Sequence, residues 1–197
     1  MKQTHFRWII VGILFFICTV NYVDRSAISY AINQISQDFS LSPMQQGLIL
    51  GAFGIGYFVT TLIGGILVDR YGCRITLLLA TLLWSFSIGL TGFAMNFVML
   101  YILRVTLGLA EGPNFPAVTR AITDWLPQKE RAVALSLALI AVPVALAIGA
   151  PIVTQLIVHT SWRGMFIILG VLGVLWLPLW LWLFRDFPYQ SRHVDKK

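Results

Sequence analysis

The stretch TVNYVDRSAISYAI, Thr19–Ile32, decides the fold. It sets Asp24 and Arg25 side by side just beyond the apolar run that starts at Trp8. A helix from Trp8 to Val20 would be about 20 Å long, short of a hydrocarbon core of about 30 Å. The helix is therefore predicted to continue through Asp24 and Arg25, which places Asp24 about 24 Å from the entry edge. An ionised group there costs at least about 2.5 kcal/mol if it faces lipid, so both side chains are expected to face the interior of a bundle.

The rest of the chain supports a membrane setting. Of 197 residues, 58% are hydrophobic and 11% charged, and the mean hydropathy is +0.81. Six apolar stretches read as helical spans: Trp8–Ile35, Met44–Val68, Ile75–Ala94, Phe97–Arg120, Val133–Val158 and Met165–Phe184. None shows the ten-residue alternation of a membrane strand. The fold class is all-α and transmembrane, with residues 1–7 before the bundle, 8–184 forming it and 185–197 as a tail.

A net charge of +6 would suit a nucleic-acid partner, but the basic residues are segregated. Lys2, Arg7, Arg70, Arg74, Arg120, Lys129, Arg131, Arg185, Arg192, Lys196 and Lys197 fall on one set of connections, and only Arg163 on the other. By the positive-inside rule both termini are cytoplasmic and no nucleic-acid partner is expected. The basic start followed by an apolar run lacks a small-residue cleavage site, so no signal-peptide removal is expected. Cys18 falls in the first span and Cys73 in a cytoplasmic connection, and no disulfide is expected between them.

Local signals fill in the punctuation. Ser42-Pro43 reads as an N-cap and first helical residue, and DWLPQKER, Asp124–Arg131, as a connection broken at Pro127. Gly47, Gly51, Gly54, Gly56, Gly64 and Gly65 punctuate the second span and read as helix-packing positions. A phosphate-binding glycine loop lacks its Lys and its preceding strand. Trp176, Trp180 and Trp182 fit an interfacial belt.

The fourth span carries a second set of buried charges in RVTLGLAEGPNFP, Arg104–Pro116. Spacings of four and three put Arg104, Gly108 and Glu111 on one helical face, with a glycine gap between the charges. Depth along the membrane matches Arg104 to Asp24 and favours that cross-helix pair; Arg25 is then free to face a cavity or to approach Glu111. The four charges sum to zero, which limits the cost of burying them together. A structural ion-pair cluster is one reading. An anion route is the other, since an arginine fork matches a carboxylate and carboxylates in a water-poor site can take up protons. Asn21, Tyr22, Tyr57 and Asn114 suit hydroxyl recognition or interhelical hydrogen bonding equally well. His5, His159 and His193 lack metal spacing, so no metal, cofactor or enzymatic activity is expected; hydrolysis by paired Asp24 and Glu111 is the weakest reading.

The segment GGILVDRYGCRITLL, Gly64–Leu78, resembles the signature loop between the second and third helices of the major facilitator superfamily, through Gly65, Leu67, Asp69, Arg70, Gly72 and Arg74. Cys73 departs from it, standing where the family usually has a basic residue. Asp69 is expected to accept hydrogen bonds at a helix end. NYVDR in the first span and RVTLGLAEGPNFP in the fourth resemble the anion:cation symporter branch, and SWRGMF before the sixth span extends the likeness along the chain. The resemblance implies a proton-coupled symporter of an organic anion, most simply a sugar acid, in the bacterial inner membrane. It implies that Arg25 holds the substrate carboxylate, that Asp24 and Glu111 couple protons, that Arg104 organises Asp24 and borders the substrate, and that Tyr22 and Tyr57 touch it. Gly65, Asp69, Arg70, Gly72 and Arg74 would form the gating loop. The family has two six-helix halves, each an inverted three-plus-three repeat in which the first and fourth spans are equivalent. This sequence supplies the first half. A second half, a second copy or a transport-inactive fragment are the alternatives.

Overall fold

The computed structural model describes residues 2–191, with side chains from Phe6 onward. The side chains of Lys2 and His5, together with Arg192, His193, Lys196 and Lys197, lie outside the described residues. Six α-helices follow one another: α1 Lys2–Phe39, α2 Pro43–Thr91, α3 Phe97–Glu111, α4 Asn114–Trp125, α5 Gln128–His159 and α6 Trp162–Leu183, followed by a single 3-10 turn, Pro188–Gln190. Four of them, α1, α2, α5 and α6, are long and apolar enough to cross a membrane.

The helix count equals the expected span count, yet the divisions differ. With 49 residues, α2 would measure about 73 Å if straight, more than twice the hydrocarbon core. It reverses at Gly72, whose φ of 80° and ψ of 160° lie in a region that glycine tolerates and other residues do not. Spans two and three are thus the two arms of α2, with one residue as their connection. The fourth span divides into α3 and α4 at Gly112-Pro113. Pro113 and Pro116 lack the N–H groups that would bond the carbonyls of Leu109 and Gly112, and the Gly112 carbonyl instead accepts from the Thr61 hydroxyl at 3.5 Å.

Helix starts follow their caps. Ser42 accepts from Gln45 N–H at 3.3 Å while the Gln45 side chain accepts from Ser42 N–H at 2.9 Å, a reciprocal capping box with Pro43 at the first turn. Asn96 accepts from Met99 N–H at 2.9 Å. The connection at Pro127 separates α4 from α5.

Packing relies on close backbone approach. The first arm of α2 lies directly on α3: a Cβ on Gly56 would strike the Val105 carbonyl, and one on Gly108 the Phe53 carbonyl. Only Gly56 and Gly64 of the six glycines in this arm have neighbours within 4 Å; Gly47, Gly51, Gly54 and Gly65 face open space. The expectation that all six pack within the bundle is corrected, because the arm has one face on α3 and α4 and another uncovered. The second arm crosses α6 where Gly89 meets Gly170. Trp182 is exposed, but Trp176 and Trp180 are buried and stack on each other at 5.0 Å. Those two tryptophans belong to the core rather than to a lipid-facing belt.

The two ends of the bundle are tied differently. At one end Arg7 meets Glu130 at 2.6 Å, Trp125 packs on Phe6 and Phe184, and its indole donates to the Arg185 carbonyl at 2.8 Å. The α2 turn is there as well: Asp186 accepts from Arg74 N–H at 2.8 Å, Trp180 donates to the Arg74 carbonyl at 3.0 Å, and the Arg74 side chain donates to the Leu181 carbonyl at 2.8 Å. At the opposite end Asp38 accepts from Arg163 at 2.6 Å and from the Trp162 indole at 2.8 Å. The arginine beside it, then the indole, hold the Asp38 carboxyl below its ordinary value. Both cysteines are free and buried.

Candidate functional site

The site forms where the middle of α1, the first arm of α2 and the α3–α4 break converge. Because α1 runs unbroken to Phe39, Asn21, Asp24 and Arg25 sit well inside the bundle. Asp24 and Asn21 are each 1% exposed, Arg104 3% and Glu111 fully buried. Lipid-facing charge is thereby avoided, as the length of the first span requires.

The pairing differs from the one that depth suggests. Arg25 Nε and Nη2 donate to Glu111 Oε2 at 3.3 and 3.2 Å. Asp24 has no hydrogen-bond partner on either carboxylate oxygen, and Arg104 has none on Nε or Nη1. The Asp24–Arg104 pair is not formed. Depth fixes position along the helix axis but not direction around it; the Arg104 guanidinium lies 5.4 Å from the centroid of the Phe53 ring on α2, the same ring that lies 4.5 Å from the Arg25 guanidinium. The glycine gap at Gly108 is filled by the backbone of Phe53.

Phe53 escaped the sequence reading. Its signal was present, since Phe53 and Tyr57 are four apart on one helical face, and their rings stack at 5.4 Å. Together with Tyr22 they enclose Arg25, whose guanidinium lies 4.7 Å from the Tyr22 centroid and 4.5 Å from that of Tyr57. Three rings around one cation stabilise it electrostatically without neutralising it, while its Nε and Nη2 donate to Glu111.

Arg25, Asn21, Tyr22, Tyr57, Glu111 and Asn114 line one recess with Cys18 and residues of α4 and α5. Its free space, about 20 Å³, holds no more than one water-sized molecule. The Arg25 side chain is 25% exposed there, with Glu111 sealed behind it. Asn21 Nδ2, Glu111 Oε1 and Asn114 Oδ1 are buried without a well-formed hydrogen bond, although Asn21 lies within reach of Glu111 and Asn114 within reach of Cys18. Arg104 and Asp24 are not among the lining residues. The structure therefore brings together six of the eight residues singled out as substrate or proton sites and leaves two outside the lining.

The signature loop has its own geometry. Asp69 accepts from Arg120 at 2.7 Å, and Arg120 also donates to Asp124 at 2.8 Å. Asp69 was expected to accept at a helix end; that role falls to Asp186, which caps the arm after Gly72. A Cβ at Gly72 would fall about 2.9 Å from the Asp186 carboxylate, so glycine is required there for space as well as for φ.

A family model described as the Major Facilitator Superfamily matches residues 14–197. The chain belongs to that superfamily. It is 35% identical to the "Hexuronate transporter" of Bacillus subtilis (strain 168), over 92% of this chain and 43% of that protein. It is 34% identical to the "Probable galactarate/D-glucarate transporter GudP" of Escherichia coli (strain K12), over 100% of this chain and 45% of that one. Among solved structures, an inward-facing bacterial homolog of the human lysosomal transporter Spinster matches with a TM-score of 0.86 at 24% identity, covering 92% of this chain and 45% of that one. The proton:xylose symporter XylE matches with a TM-score of 0.82 at 18% identity, over 94% and 46%. These two likenesses establish the fold. The chain spans about half the length of the curated relatives it matches and corresponds to their N-terminal half. Its relatives are named as transporters, not enzymes, and the six-helix bundle is that of a superfamily half.

Proposed function

We propose that this chain is the N-terminal half of a proton-coupled symporter for an organic anion of the sugar-acid class, a hexonate, hexarate or hexuronate, in the bacterial inner membrane, with both termini cytoplasmic. One observation carries the reading: a partly exposed, ring-enclosed Arg25 is bonded to a fully buried Glu111. Contacts of 3.2 and 3.3 Å to a single oxygen are long for a charge-assisted pair, which closes to about 2.7–2.9 Å. A substrate carboxylate competes for the same fork. When it takes Arg25, Glu111 is left buried without a counter-charge, and uptake of a proton removes that penalty. Anion and proton thereby favour each other's binding, which is the reciprocal linkage a symporter needs.

The other residues take roles around this exchange. Asp24, unpartnered and close to Glu111, is a second proton site. Arg104 adds positive potential beside the pair. Tyr22 and Tyr57 hold Arg25 and border the substrate, while Asn21 and Asn114 offer amide groups to its hydroxyls. Asp69, Arg70, Arg74, Gly65 and Gly72 form the gating loop at the cytoplasmic end. The recess is too small for a six-carbon acid by itself, so the site is completed by a second surface, a C-terminal six-helix half or a second copy. A half that is inactive until joined to its partner is the second reading, favoured by that small recess.

The test is uptake into proteoliposomes containing this chain, alone and with a separately produced C-terminal half. Saturable accumulation of glucuronate or glucarate, driven by outside acid and abolished by a protonophore, is expected at least in the paired preparation. Accumulation indifferent to the protonophore would remove proton coupling, and transport of neutral glucose in place of the acids would remove the anion assignment.

A further inference from the structure

The hairpin of α2 and the α3–α4 break leave an apolar groove on the outside of the bundle, lined by Leu67, Tyr71, Ile75, Leu79 and Leu83 on the two arms and by Pro113. Its free volume is about 280 Å³. From Tyr71 to Leu83 the second arm rises about 18 Å, roughly one leaflet of a core about 30 Å thick. The polar atoms in its walls are satisfied internally: the Thr60 hydroxyl bonds the carbonyls of Gly56 and Gly108 at 3.1 and 3.4 Å, and Thr76 bonds that of Leu67 at 3.4 Å. The bend presents Leu109 and Pro113 to this groove but Glu111, Asn114 and Val118 to the substrate recess. A surface that closed the recess would therefore leave the groove facing lipid.

One end of the groove carries a cation. Arg70 is exposed, and its guanidinium lies 5.5 Å from the centroid of the Tyr71 ring that forms the groove's mouth. Among the described residues it has no carboxylate partner, because the adjacent Asp69 is engaged by Arg120. A leaflet-deep apolar slot with an uncompensated guanidinium at its mouth has the charge pattern of an amphiphile with an acidic head. Tyrosine at that depth suits the boundary between acyl chains and headgroups.

We infer that this groove holds one acyl chain of an anionic phospholipid from the leaflet on the Arg70 side, with Arg70 on its phosphate. The proposed orientation makes that the cytoplasmic leaflet; the binding itself does not depend on orientation or on transport. Arginine's planar fork matches a phosphodiester, and a single basic residue near the surface favours an anionic over a zwitterionic lipid by about fivefold.

The experiment is native mass spectrometry of the whole chain purified from bilayers of equal phosphatidylglycerol and phosphatidylethanolamine. One retained lipid is expected, enriched about fivefold in phosphatidylglycerol. Arg70→Gln should keep the lipid but bring the preference close to unity. Ile75→Trp, which fills the groove, should lose the lipid, whereas Leu172→Trp on the exposed face of α6 should not. As a check independent of mutant folding, phosphatidylglycerol with six-carbon chains should be retained less than its long-chain form by the unaltered protein. No headgroup preference in the unaltered protein, or retention unaffected by both Ile75→Trp and chain length, would overturn the assignment. Displacement of the lipid by inorganic phosphate would also overturn it, by reducing the site to a headgroup anion contact.

Discussion

The charges at the ends of the bundle and those in its middle are organised on opposite principles. Among the described residues each carboxylate at the ends is engaged: Asp38 by Arg163 and Trp162, Glu130 by Arg7 through one oxygen, Asp69 and Asp124 by Arg120, Asp186 by the backbone of Arg74. In the middle, where desolvation is most costly, Asp24 has no partner and Glu111 uses one oxygen of two. A stability-driven arrangement would be the reverse, since an unpaired buried charge is what folding avoids. The charges at the ends have partners where they stand, whereas in the middle a buried carboxylate is left without one.

The largest effect should come from separating the one interior pair. Arg25→Ala leaves Glu111 buried without a cation and should destabilise the chain by about 3–5 kcal/mol in detergent unfolding; adding Glu111→Gln should recover most of that loss. A double mutant no better than the single would mean that the pair is a packing unit rather than an electrostatic one. Next in size is an absence of loss. Asp24→Asn removes an unpartnered ionisable group and should leave stability unchanged or raised by about 1 kcal/mol, while abolishing proton-driven uptake in the assembled carrier. A stability loss above about 2 kcal/mol would show that Asp24 holds the bundle together and would remove the contrast with the ends.

At the ends themselves, Asp69→Asn should cost under about 1 kcal/mol, because Asp69 is largely exposed and Arg120 keeps Asp124. The smallest effect is a pH dependence. The Asp38 carboxyl is held below its ordinary value, so its contribution is complete above about pH 4, the unfolded value, and fades as pH falls through the lower folded value. Thermal unfolding of Asp38→Asn and the unaltered chain should therefore converge in strong acid; a constant gap across that range would exclude the ionised form as the source.

Much of this was legible in the residues. A run too short to cross the membrane forced α1 through Asp24 and Arg25, and the glycines of the signature loop announced the reversal between the arms. Placement of the charges was less legible. Matching depths along the membrane suggest an Asp24–Arg104 pair, yet none forms, because depth leaves azimuth open and azimuth between two helices is not written in the spacing along either one. Asp186 could not be connected to Gly72 from sequence either, because 112 residues separate it from Arg74 and only the docking of α6 brings them together. The glycines misled for a related reason: a small residue permits contact on its side of a helix without saying whether a neighbour is there.

The clamp at Gly72 has a mechanical consequence. With the reversal a single residue long, capped by Asp186 and braced by Trp180 and Leu181, neither arm of α2 has slack to slide past the other or past the end of α6. The two arms and the end of α6 are thus joined at one point, and a displacement of that turn has to be shared among all three.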